Sequence, residues 1–369
     1  MKNSWKLISD EEAGRIWNEN LAAFEDCSPF QTFEWGQYHK ALGWEPLYCA
    51  YFDEEENIRA MSMVLLKRFF LKTGFAWAPG GPVGDLEVVD EKMPKTIMAT
   101  TGLKRLYLRV RSDRTRKTSE TLYLEHKKWA RSLHRMVSSF SMELDLDGEI
   151  ESIDKNFKSS WRRQLKLSGR NELVVKQIIN PDIAELHQAY SEMEATKGLA
   201  ELFSKEKLEN LFQHVRQNLI VFRCEDEAGQ LLSFRGVLFI GHRAVEYMGV
   251  TNDRGRELRA SFPLERELLR HCHQKGITKY DLGGIDPWEN PGCHRFKRGT
   301  GATEVEYLGE WDWASSVWLR WFGNWAIHKR QKIKEPESNS ARQTDKVASP
   351  VGRVFGSVVR TFRTISGLF

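Results

Sequence analysis

The chain has 369 residues, 41% of them apolar and 29% charged, with 27 Gly and 11 Pro. That composition excludes fibrous and disordered classes and leaves room for two domains of ~150 residues. The net charge of +4 is uneven, because residues 326–369 carry nine Lys/Arg against three Asp/Glu; the slightly acidic body excludes a uniformly basic nucleic-acid surface, although Lys155 to Arg170 and Lys104 to Lys117 are locally basic.

In chain order, the start runs from Met1-Lys2-Asn3 into Asp10-Glu11-Glu12 with no apolar segment between, so no secretory signal is read and a cytoplasmic location is expected. Glu11–Phe24 has helical spacing, with Ile16, Leu21 and Phe24 on one face. Leu47–Phe52 and Arg59–Leu66 read as strands around the acidic turn at Asp53–Asn57, and Leu106–Val110 as a further strand. The same grammar then recurs: a basic helix at Ile153–Ser168, a strand at Glu172–Ile178, helices across Ile183–Val215, and strands at Leu219–Glu225, Leu231–Ile240 and Arg243–Gly249. A helix at Ser261–Lys275 and a strand at Lys279–Leu282 follow. The predicted fold is therefore α/β (α+β), one architecture used twice, with domains at 1–145 and 146–310.

Beyond Glu310 the character changes. Trp311, Trp313, Trp318, Trp321 and Trp325 crowd fifteen residues, and 311–333 reads as a Trp-rich helix returning to the first domain or, alternatively, as an aromatic belt facing a membrane. Residues 334–349 read as a polar linker, and 350–369 as a basic amphipathic helix with Val351, Val354, Phe355, Val358 and Phe362 on one face and Arg353, Arg360 and Arg363 on the other. Such a helix suits an anionic membrane interface or a protein groove. No run of about 18 apolar residues predicts a membrane-spanning helix.

The five cysteines are odd in number and never spaced Cys-x-x-Cys, so buried thiols are expected and no metal site, even around His271-Cys272-His273 and Cys293-His294. A Ser-His-Asp set and a P-loop are likewise missing. The densest chemical segment is Tyr280-Asp281-Leu282-Gly283-Gly284-Ile285-Asp286, followed by Phe296-Lys297-Arg298-Gly299-Thr300-Gly301 and Val305-Glu306-Tyr307-Leu308-Gly309. Two glycine pairs around a cationic turn let backbone N–H groups and Lys297 approach an anionic or carbonyl-bearing ligand, or simply make a tight loop between strands. Asp281 there either faces the site or caps the turn.

Together with Phe30-Gln31-x-x-x-Trp35-x-x-x-x-Lys40-x-x-Gly43-Trp44 and Pro79-Gly80-Gly81-Pro82-Val83, these segments resemble the FemABX family over roughly residues 25–325. The resemblance implies two GNAT-like acyltransferase domains in tandem, in the compact form without a coiled-coil arm. It also implies transfer of an aminoacyl group from aminoacyl-tRNA to an amine of a cell-wall precursor. Lys297 matches the lysine at the family's acyl-donor site, where a cation would steady an oxyanion or orient the ester. Lys40 and Lys197 match the basic residues that hold the precursor's diphosphate, with lysine at the second place losing a bidentate fork. Trp35, Tyr247, Gly283, Gly284 and Arg298 complete the expected substrate-binding set, with Lys297 and Asp281 as catalytic candidates. Two departures stand out: Leu108-Arg109-Val110-Arg111-Ser112-Asp113 lacks the family's carboxylate at its usual place or displaces it to Asp113, and Gly80 replaces an arginine.

The expected function is aminoacyl or acyl transfer onto a nucleotide- or lipid-linked envelope precursor, at the inner face of the cell membrane, with no tightly bound cofactor. An acyl-CoA-dependent N-acyltransferase acting on an amino sugar is the second reading, although Arg256–Ser261 meets the usual glycine-rich pyrophosphate loop only loosely. A non-catalytic membrane-associated binding protein is the third.

Overall fold

The computed structural model describes residues 3–198, 200–288 and 290–333. The linker at 334–349 and the amphipathic segment at 350–369 lie outside the described residues. The chain begins with β1 (Ser4–Ile8), α1 (Asp10–Ala22), α2 (Phe33–Ala41), β2 (Glu45–Phe52), β3 (Ile58–Phe69) and β4 (Thr73–Ala78). It continues through β5 (Val83–Gly84), α3 (Lys92–Thr101), β6 (Arg105–Thr115), α4 (Thr118–His126), β7 (Ala130–Arg131) and β8 (Phe140–Asp145). After α5 (Ile150–Asn156) and α6 (Ser159–Ser168) the order restarts with β9 (Val174–Gln177), α7 (Ile183–Lys197), α8 (Lys205–His214), β10 (Leu219–Glu225), β11 (Leu231–Ile240) and β12 (Arg243–Thr251). It closes with α9 (Asp253–Leu258), α10 (Ser261–Gln274), β13 (Lys279–Gly284), α11 (Pro291–Gly299), β14 (Thr303–Ala314) and α12 (Val317–Ile333). Short elements aside, each half runs strand, two helices, three strands, helix, strand, helix, strand, the doubled unit expected from the sequence.

Local chemistry sets these elements. The Ser9 hydroxyl accepts from the Glu12 amide, three carboxylates occupy the first turn of α1, and Ala13, Trp17 and Leu21 turn one stripe inward. Thr32 caps α2 in the same way. The expected single helix at Ile153–Ser168 is two, α5 and α6, because Phe157 and Lys158 are extended. The expected Trp-rich helix at 311–333 is also divided: Trp311 and Trp313 belong to β14, and the helix starts only at Val317.

The strands form one fourteen-stranded sheet in the order β1-β2-β3-β4-β6-β14-β8-β13-β12-β11-β10-β9, with β5 and β7 to the side. Each half is an antiparallel meander of four strands followed by a parallel partner, β4 with β6 and β12 with β13. The last strand of each half crosses over: β8 pairs with β13, and β14 pairs with β6 as well as with β8. The four central strands, β6, β14, β8 and β13, therefore alternate between the two halves. The largest apolar core also spans the halves, joining Trp17, Trp35 and Tyr38 to Leu208, Leu211 and Phe234.

Beside the seam, Arg109 on β6 is fully buried. Its Nε donates to Asp312 at 2.7 Å, and its terminal nitrogens reach Glu310 at 3.0 Å, the His134 carbonyl at 2.6 Å, the Tyr107 hydroxyl at 2.8 Å and Asn324 at 3.0 Å. A planar five-donor guanidinium suits such a cage. The network fastens α12 to the sheet through Asn324.

Candidate active site

The parallel strands of the two halves differ in one respect. In the first half, β4 and β6 stay paired over six positions, from Thr73↔Arg105 to Ala78↔Val110. In the second, β12 and β13 pair only at Arg243↔Lys279, Ala244↔Tyr280 and Val245↔Asp281 before parting, although β12 continues to Thr251 and β13 to Gly284. Parted strands leave backbone donors and acceptors for an extended ligand to complete.

Tyr247, Asp281, Gly283 and Gly284 all lie at or beyond this parting. At Gly283 the backbone turns to φ +79°, a conformation that favours glycine. Asp281 holds the turn from one side, its Oδ1 accepting from the Gly283 amide at 2.7 Å. From the other side the Lys297 ammonium donates to the Gly283 and Gly284 carbonyls, both at 3.0 Å. Two of its three protons are thus engaged, and burial pulls the ammonium below its ordinary pKa. Lys297 was expected on a cationic turn; it sits instead on α11, which begins with Pro291 after the Asn290 cap and reaches Gly299. Asp281 thus caps this turn, and the same carboxylate also has other partners.

Those partners form a buried polar cluster that the sequence reading missed. Asp281 accepts from the hydroxyls of Ser141 and, at 2.8 Å, Tyr307. The Tyr307 oxygen is also 2.8 Å from Glu143 Oε1, which takes a bond from Arg243 at 2.9 Å. A phenol has one proton, so the second 2.8 Å contact is a hydrogen bond only when that carboxyl is itself protonated. Burial pushes Glu143 above the ordinary carboxylate range, against the pull of Arg243. Asp113 on β6 is raised in the same sense, chiefly by burial and further by Asp281, while Arg111 at 2.5 Å opposes the shift. Ser28 donates to Asp113 at 3.0 Å. Three carboxylates, two arginines and a tyrosine from β6, β8, β12, β13 and β14 thus meet where the halves join.

The cluster accounts for both departures from the family pattern. Asp113 lies in electrostatic contact with Asp281, and Gly80 is where a Cβ would stand 2.1 Å from Ser28 Oγ and 3.0 Å from Asp113. An arginine there would displace the Ser28–Asp113 bond.

The remaining candidates separate. Trp35 is 2% exposed and packs edge-on to Tyr247 at 5.3 Å, so it builds the wall behind Tyr247 rather than offering a ring to a ligand. Lys40 is exposed, bonded to Asp10 at 2.6 Å, and lines a cleft of about 400 Å³ that shares no residue with the Asp281 cluster. Lys197 is exposed at the end of α7, and Arg298 points outward from α11. No group of metal-binding side chains occurs among the described residues. Cys27, Cys49, Cys224 and Cys272 are buried free thiols.

The duplicated unit with its shared polar seam defines a tandem acyltransferase-type fold. Residues 155–298 match the family model of the acetyltransferase (GNAT) domain. A FemX crystal structure superposes with a TM-score of 0.75 at 14% identity, over 87% of this chain and all of that one. A tandem GNAT protein of the clavulanic acid biosynthesis pathway gives 0.53 at 9% identity, over 85% and 99%. In sequence, 144 residues are 24% identical to a lipid II:glycine glycyltransferase of Staphylococcus epidermidis, 38% of this chain and 35% of that protein. The chain thus spans about a third of the length of the curated relatives it matches. In fold it is similar to FemX, and in sequence to a stretch of a lipid II:glycine glycyltransferase.

Proposed function

We propose that this protein transfers an aminoacyl group onto an amine of a cell-envelope precursor. The observation that carries the reading is the juxtaposition, at the parting of β12 and β13, of the Lys297-held Gly283–Gly284 turn with a proton-sharing carboxylate cluster. The donor's acyl arm would enter as an extended strand between β12 and β13. Lys297 fixes the turn and keeps one proton for the carbonyl oxygen as it gains charge. The attacking amine must shed a proton after the tetrahedral adduct forms, and the Asp281–Tyr307–Glu143 cluster is built to take it, with Arg243 balancing the charge; as the adduct collapses the ester C–O bond breaks, and a proton passes to the tRNA hydroxyl that leaves.

Lys40, in its separate cleft, is the candidate contact for the precursor's phosphates once it leaves Asp10, with Lys197 as the second cation. Aminoacyl-tRNA is the donor preferred here. The match to an acetyltransferase model favours acyl-CoA as a second reading. The segment before α10 is the helical turn α9, whose Arg254 and Arg256 pair with Glu257 and Asp253, rather than a glycine-rich phosphate loop. The test is mass spectrometry of nucleotide- and lipid-linked precursors incubated with purified protein and either charged tRNA or acyl-CoA. A defined mass gain with tRNA supports the proposal. No gain with any pairing refutes it, and a gain with acyl-CoA alone establishes the second reading. Attachment of residues 350–369 to the inner face of the cell membrane belongs to the same proposal and rests on their sequence pattern.

A further inference from the structure

Eight of the thirteen exposed large apolar side chains among the described residues lie on two elements, the β3–β4 turn and α12. On α12 the sheet-facing side holds Gly323 against the Tyr107 ring, Asn324 in the Arg109 network, and buried Ile327. Trp318, Trp321, Phe322 and Trp325 occupy the opposite side at i, i+3, i+4 and i+7, and Trp318 is 82% exposed. A helix covering a soluble core presents polar residues there. In the β3–β4 turn, Phe69, Phe70 and Leu71 project together, with Phe70 95% exposed.

The two elements share one end of the sheet. Phe69 pairs with Thr73, Thr73 with Arg105, and on the next strand the Ser315 amide donates to the Leu106 carbonyl just before α12 begins. Three strand spacings of ~4.8 Å place the turn and the start of the helix about 15 Å apart. The segments that build this end, residues 64–75, 102–109 and 315–329, contain no carboxylate. They expose Lys72, Lys104, Arg105 and Lys329; Arg68 is engaged by Glu45, and Lys67 by the Gly43 carbonyl.

We infer that this end of the molecule is a docking surface for an anionic lipid bilayer. Tryptophan and phenylalanine side chains rest at headgroup depth, while the surrounding Lys and Arg meet lipid phosphates without a competing acid. The surface is built from residues other than 350–369 and does not depend on the acyl-transfer reading.

Co-sedimentation of the full chain with phosphatidylglycerol-containing and pure phosphatidylcholine vesicles at two salt concentrations tests the inference. The variants are Trp318→Ser/Trp321→Ser/Phe322→Ser on the helix, Phe70→Ser/Leu71→Ser on the turn, and Arg353→Glu/Arg360→Glu/Arg363→Glu as comparator. Wild type should bind the anionic vesicles with a blue-shifted tryptophan emission that brominated lipid quenches. Each surface variant should lose at least about tenfold in partitioning while melting like wild type, since the replaced side chains are exposed. The turn variant keeps the test sound if the helix variant misfolds. Wild-type partitioning by both surface variants overturns the inference, as does loss through the arginine variant alone. A wild-type dimer that the helix variant makes monomeric, without change in vesicle binding, would assign the face to a second copy and overturn it equally.

Discussion

Replacing Arg109 with methionine removes the centre of the buried network beneath α12. The side chain has no exposure, and it neutralises two carboxylates that are themselves 0% and 1% exposed, Asp312 and Glu310. Breaking a buried ion pair from one side costs about 3–5 kcal/mol, because the surviving charge has lost its partner. Two charges are stranded here, yet Glu310 keeps the amides of Met136 and Val137, and Asp312 keeps Ser132 and Asn324. These residual bonds hold the expected loss near the middle of that range, about 4 kcal/mol. With an unfolding entropy of about 2.1 cal/mol/K per residue, a cooperative unit of this size should melt about 6 °C lower. Scanning calorimetry at neutral pH measures it, and limited proteolysis should cut α12 first, since Asn324 loses its anchor. The deficit should shrink on acidification as the stranded Glu310 carboxyl, which burial already raises, takes a proton, and Arg109→Lys should fall between, keeping charge without the fork. A shift below about 1.5 °C for Arg109→Met would refute the reasoning.

Other outcomes follow from the seam. Lys297→Met should slow transfer by about 10²–10³ while costing only ~1–3 kcal/mol, the price of two unmet carbonyls; near-wild-type turnover removes Lys297 from the chemistry. Asp281→Asn should lower melting temperature and turnover together, because the carboxylate both caps Gly283 and accepts from Tyr307; a variant that loses neither contradicts both roles. Burial raises Glu143, so the folded state binds a proton that the unfolded state releases. That contribution is present below the ordinary carboxylate pKa and is lost as pH rises through the raised value. Wild type should therefore lose stability relative to Glu143→Gln as pH rises from about 4 to 7, and a flat difference in urea melts disproves the assignment. Gly80→Ala should destabilise by about 1–3 kcal/mol, since φ is +69° and the new Cβ collides with Ser28; an unchanged urea midpoint would mean the loop yields freely.

Periodicity revealed the doubled plan well. Leu219–Glu225 and Leu231–Ile240 have the same bounds in sequence pattern and structure, because largely apolar runs flanking the Asp226–Gly229 turn belong to buried strands. It failed where tertiary context decided. The β14 tryptophans looked helical because Trp is neutral between the two periods, and pairing with β6 fixes them as strand. The parting of β12 and β13 left no trace in composition, yet it gathers Tyr247, Asp281 and the glycine pair. Glu143 and Arg243 were missed, and Tyr307 was noticed only as part of the Val305–Gly309 segment, for a plainer reason: they lie on three different strands, and only the sheet order makes them neighbours. Glycines and an acid near a lysine were legible; a polar cluster assembled from five strands was not.

The crossing of β8 and β14 has a consequence for how the chain is made. When residues of the first half leave the ribosome, β6 still lacks its neighbour, since Arg109 and Asp312 are 203 positions apart. The nascent half keeps an open edge throughout synthesis of the second, with the Arg109 guanidinium waiting for its carboxylates. Neither half is a complete folding unit, and β14 joins the two halves of the sheet as nearly the last described segment to emerge. The polar seam is completed only when β14 joins the sheet, so a protein interrupted before Thr303 has neither a finished sheet nor the Tyr307 hydroxyl that links Asp281 to Glu143.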